Sequence, residues 1–147
     1  MTLALRLLER IHGHLGWLAV AALLHPALLL ANPRRRARLS VALAGGLAVA
    51  TAALGAMIYP DYREQLKPSI FATAPSIGWL FERKEHLAVG AVAFALLGCV
   101  AHLTLPAFEP GLRPGVGRLA HRAFVVAFVL SAAVAVFGTA VASYKSF

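Results

Sequence analysis

The chain has 147 residues, of which 60% are hydrophobic and only 14% charged, and its mean hydropathy is +0.75. Globular domains run nearer roughly 45–50% apolar and about 25% charged, so the polar surface that would cover a soluble core is missing. The net charge of +8 does not indicate nucleic acid, because the basic residues stand between apolar runs instead of on one soluble face.

What remains is a small integral membrane protein. The predicted fold class is all-α: one transmembrane domain over 1–147, an antiparallel four-helix bundle of up-down-up-down topology. Crossing about 30 Å of hydrocarbon takes roughly 20 apolar residues as a helix, and four segments qualify. The first span is 11–31, led in by Leu3, Leu5, Leu7 and Leu8. His25-Pro26 and then Asn32-Pro33-Arg34 follow its apolar stretch where a cleavage site would need small residues, so it reads as a retained helix. Pro26 removes the hydrogen bond to the Ala22 carbonyl, and neighbours in a membrane bundle can satisfy that group instead.

The second span, 39–59, carries no charge and is predicted to close at Pro60-Asp61. Residues 60–86 then form a long outer loop, a length that points to a functional segment or an interfacial helix. Trp79 and Phe81 suit the interface. The third span, 87–107, is interrupted only by His102 and is closed by Pro106, Pro110 and Pro114 with Gly111, Gly115 and Gly117. The fourth covers 121–144 and is uncharged from Ala123 onward. Ala44-xxx-Ala48, Gly46-xxx-Ala50 and Ala91-xxx-Ala95 are small-residue spacings compatible with close helix approach. The lone Cys99 supplies neither a disulfide framework nor a CxxC motif.

Orientation follows from the loops. Arg34, Arg35, Arg36 and Arg38, with Arg113, Arg118 and Arg122, place seven basic residues on one side against seven on the other. The first set is packed into two shorter connections, so that side is read as cytoplasmic and both termini as outside. The Arg34–Arg38 run reads as a topology signal, with anionic headgroups as its alternative partner.

Six histidines carry the functional expectation. At 1.5 Å rise per residue, His25 and His102 fall at nearly one depth on parallel spans, with His121 opening the fourth span on the same side. His12, His14 and His86 form a second tier at the opposite side. His14 and His25, eleven residues apart, lie about 20° from one helix face and roughly 16 Å apart along it. Intramembrane ionisable residues are costly and mark ligand or relay roles. The leading expectation is therefore a haem b carrier moving electrons in or across the bilayer. His25 and His102 would form an inner site and His14 and His86 an outer one, with His121 beside the inner site. Arg10, Arg83, Arg118 and Arg122 would neutralise propionates. This arrangement resembles the small four-helix membrane cytochromes b, which hold haem between histidines of facing helices. The resemblance implies a redox protein or a quinone as partner.

A second reading is a non-haem membrane enzyme or carrier binding zinc, iron or copper. Its ligands would be Asp61, Glu82, Glu85, His86 and His14, since Glu82 and His86 share a helical face at i,i+4 spacing. A third reading is a structural or assembly subunit, homo-oligomeric or part of a larger membrane complex, whose histidines only bridge helices. HExxH, P-loop and dinucleotide motifs are absent.

Overall fold

The computed structural model describes residues 3–32, 35 and 37–145, so Arg34 and Arg36 lie outside the described residues. Among the described residues the chain is helical and has no strand. It forms α1 (Leu3–Leu29), α2 (Arg38–Gln65), the short α3 (Lys67–Thr73), α4 (Pro75–Leu103) and α5 (Arg113–Lys145), with one 3₁₀ turn at Leu105–Ala107. Four helices are long and apolar enough to cross a membrane: α1, α2, α4 and α5. The chain is thus multi-pass in character.

The helices outrun the predicted spans, and local chemistry says why. Proline 60 does not end α2, which continues to Gln65. A proline forfeits one amide bond, and Tyr62, just beyond it, is buried and stacks on Phe81 of α4 with ring centroids 4.0 Å apart. That packing holds the last turn together. Pro68 and Pro75 stand at the starts of α3 and α4, where the missing N–H costs nothing. The predicted outer loop 60–86 is therefore a correction: it comprises the end of α2, all of α3 and the first twelve residues of α4.

At the other end α4 stops at Leu103, earlier than the expected Ala107, and the Thr104 hydroxyl donates to the Val100 carbonyl at 2.6 Å. The link to α5 is fastened by Arg113, whose guanidinium donates to the Phe108 and Pro106 carbonyls at 2.9 and 3.1 Å. With its loop so fixed, α5 begins at Arg113, eight residues before the expected start at His121. Pro114 again occupies a first-turn position.

The four long helices form a ring. α4 and α5 share the most extensive seam, α1 packs on α2 and α5, and α2 also packs on α4. α1 and α4 share no comparable seam. Between α1 and α2 the partners are His12 with Gly55, Leu15 with Thr51 and His25 with Ser40. Between α4 and α5 they are Lys84 with Gly138, Gly90 with Leu130 and Gly98 with Phe124. In both seams residue numbers rise along one helix as they fall along the other.

The interior is built from small residues. Ala44, Ala95, Ala120 and Ala127 are fully buried around Leu23, Val41 and Phe124. Side chains this short let backbones approach closely, which is how helices gain van der Waals contact when lipid supplies no hydrophobic drive. Of the three small-residue spacings, Ala44/Ala48 and Ala91/Ala95 lie in this core, whereas Gly46 and Ala50 face outward. A second cluster, Tyr62, Ile70, Phe81 and Val141, closes the end where α3 lies.

Candidate functional site

The two ends of the ring are chemically different. One end gathers Arg38, His25, His102, Arg118, His121 and Arg122. The other carries both acids and bases: Glu9, Asp61, Glu64, Lys67, Glu82, Lys84, Glu85 and His86.

At the first end, His102 is buried in the core, the only such polar side chain among the described residues, tyrosine and cysteine aside. It stands near the C-terminus of α4, and the charge acting on it comes from Arg38 at the start of α2. Since Gly98 meets Phe124, four residues further along α4 and four back along α5 place His102 level with Ala120, one residue from His121. His121 is half-buried, and its Nδ1 is enclosed without a hydrogen-bond partner. Buried polar atoms are seldom left so. His25 is placed differently. It is exposed, and its Nδ1 is 2.7 Å from the Ser40 hydroxyl on α2. His25 and His102 thus share an end of the molecule but stand on helices that do not pack along each other.

A cavity of about 270 Å³ opens at this end, between the residues just past the C-terminus of α1 and the first turns of α5. Leu30, Ala31, Pro114, Gly117, Arg118 and His121 line it. Arg118 and Arg122 are both exposed.

No family model matches the chain. No curated protein and no solved structure matches it either.

At the second end the residues proposed as an outer site are engaged separately. His86 is exposed, and its Nδ1 donates to the Glu82 carbonyl one turn back at 2.8 Å. The Glu82 carboxylate pairs with Lys67 of α3. That pair holds the Lys67 ammonium above its ordinary range, chiefly through the hydrogen bond. Glu85 faces the Tyr59 hydroxyl, and Asp61 accepts a bond from Gln65 at 3.4 Å on its own helix. His14, Arg10 and Arg83 are exposed. Among the described residues no three His, Cys, Asp or Glu side chains converge as a metal-binding group. Each carboxylate of the expected set has instead a partner that a helix seam or turn provides.

Two features here escaped sequence reading. Lys84 lies over the Phe81 ring at 4.3 Å, joining the stack with Tyr62. His12 sits on Gly55, where a Cβ would come within 2.9 Å of its ring, and its Nδ1 is buried and unpaired. The signal for the second was present as a glycine in an otherwise bulkier stretch of α2.

Proposed function

We propose that the chain is a four-span membrane subunit, an antiparallel up-down-up-down bundle, in which the histidines chiefly fasten helices. The paired seams support the topology, because their contacts descend on one helix as they ascend on the next. The arginine-rich end is then cytoplasmic and both termini lie outside. The observation that carries the subunit reading is the His25–Ser40 bond across the α1–α2 seam. An imidazole spent on a neighbouring hydroxyl is accounted for structurally, and alanines and Phe124 fill the space between α1 and α4.

A haem-based electron carrier is the second reading, and His121 favours it. Its unpaired Nδ1 and the buried His102 at the same level belong to α5 and α4, the two helices that share the most extensive seam. These two would hold the iron, and Arg118 and Arg122 the propionates. The donor types fit; the close packing of Ala101, Ala120 and Phe124 leaves little room between them. Haem would supply one-electron chemistry when bound.

One experiment separates the two. The protein is expressed with haem supplied, purified in detergent, and its reduced-minus-oxidised absorption spectrum recorded. The subunit reading expects no Soret or α band, and no spectral change in His25→Gln or His102→Gln. Bands that vanish in His102→Gln and His121→Gln would replace it with the haem reading. In parallel, Ser40→Ala and His25→Ala are each expected to cost about 0.6 kcal/mol in detergent unfolding, the usual worth of an intramembrane hydrogen bond. The double variant should cost no more than either alone.

A further inference from the structure

We propose that the cavity between the end of α1 and the start of α5 binds the headgroup of an anionic amphiphile, a lipid whose phosphate or carboxylate meets Arg118 and His121. Four observations converge on this.

The cavity has a built polarity. Leu30, Ala31, Pro114 and Gly117 give it apolar walls, while Arg118 and His121 supply its nitrogen donors, and no acid lines it. An apolar site with a few convergent polar groups is the usual form of a small-molecule site. At about 270 Å³ it falls just below the roughly 300–1,000 Å³ of drug-sized pockets. That suits a headgroup with the start of its chain.

The donors are uncommitted. Arg113 in the same stretch is spent on loop carbonyls, whereas Arg118 faces the cavity. The Nδ1 of His121 has no partner. A guanidinium offers paired N–H groups that match the oxygens of a phosphate or carboxylate.

The surroundings favour one charge sign. Arg35, Arg38, Arg113, Arg118 and Arg122 belong to this end of the chain, against the single acid Glu109. Basic pockets between spans on the cytoplasmic side are a recognised form of lipid headgroup site.

The position suits a chain as well. The cavity opens on the α1–α5 seam, at the level where apolar helix surface gives way to charge. Leu28 and Leu119, near it on the same helices, are exposed. An acyl chain can lie along that surface while its headgroup enters the cavity.

The proposal rests on the bilayer placement of the four helices. The test uses the full chain, delipidated in detergent and observed by native mass spectrometry. Dioleoyl phosphatidylglycerol, dioleoyl phosphatidylcholine and oleate are the probes, with decylubiquinone as a competitor. Phosphatidylglycerol and oleate should bind with one retained molecule, and phosphatidylcholine at least about tenfold more weakly, because it has the same phosphate but brings a quaternary ammonium to an end rich in arginine. Retention of phosphatidylglycerol but not oleate narrows the ligand to phosphate and upholds the site. Arg118→Gln should weaken phosphatidylglycerol about tenfold, His121→Gln less, and Arg118→Lys should restore part of the loss. Arg6→Gln, exposed at the opposite end of the molecule, should retain binding, and an unchanged helical circular dichroism signal shows that each variant is folded. Equal binding of both phospholipids, no effect of Arg118→Gln, or displacement of the lipid by decylubiquinone would overturn the proposal. None of those results would move the helices out of the bilayer, which cysteine accessibility tests separately.

Discussion

Gly45→Ala is expected to destabilise the bundle by about 1–2 kcal/mol, while Gly46→Ala, one residue along the same helix, leaves it unchanged or slightly more stable. Gly45 is buried on α2 against α4, where an added Cβ would collide with the Cys99 thiol. Cys99 cannot easily move aside, since it is buried and its thiol donates to the Val41 carbonyl at 3.3 Å. Overpacking of this kind typically costs about 1–3 kcal/mol. Alanine's better helix propensity returns up to about 1 kcal/mol, so the net effect remains a loss. At Gly46 nothing lies within 4 Å of the added methyl, and only the propensity gain survives. The cause is separable by a double variant: with Cys99→Ala the methyl at 45 finds room. Gly45→Ala in that background should cost almost nothing, giving a coupling on the order of 1–2 kcal/mol. Denaturant titration in mixed micelles, followed by circular dichroism, measures all four proteins. Additive losses would mean that α2 and α4 do not meet at this register.

The second large effect belongs to Phe124. Its ring is fully buried against Gly98, in a cluster that includes Leu23 of α1 and Val41 of α2. It thus touches the packing of all four long helices. In water-soluble cores a Phe→Ala change costs about 3–5 kcal/mol, a sum of lost transfer energy and a cavity term. For helices that remain in lipid when they separate, the transfer part largely drops out. The cavity term persists: a phenyl-sized void on the order of 100 Å³, at about 24 cal/mol per Å³, gives roughly 2 kcal/mol. Phe124→Ala should therefore cost about 2 kcal/mol and Phe124→Leu clearly less. Val129→Ala is the control, since that side chain is 56% exposed and faces outward on the same helix. Its expected cost in the same titration is near zero. A large loss at Val129 and none at Phe124 would mean that α5 is rotated relative to the packing described.

The membrane class and the four apolar stretches were readable from composition and spacing, because both depend on totals that a window of about 20 residues captures. Helix ends were not. Proline 60 looked like a stop, but a proline removes one hydrogen bond whereas the Tyr62–Phe81 stack adds a contact between residues nineteen apart. Local reading cannot weigh that. The two histidine tiers did separate to opposite ends, since depth follows directly from residue count. Facing directions were harder: His25 and His102 share a level, yet the order of helices around the ring puts α2 and α5 between them. Arg118 and His121 were legible as polar residues near a span end, but only tertiary packing reveals the cavity they line.

Cysteine accessibility tests the four-span arrangement most directly. In a Cys99→Ala background, single cysteines are placed at Arg6, Glu64 and Glu109, which are exposed or partly exposed sites near the helix ends. Intact cells are then treated with a membrane-impermeant maleimide. Positions 6 and 64 should be labelled from outside, and position 109 only after the membrane is opened. Labelling of 64 and 109 from the same side would contradict the four-span arrangement.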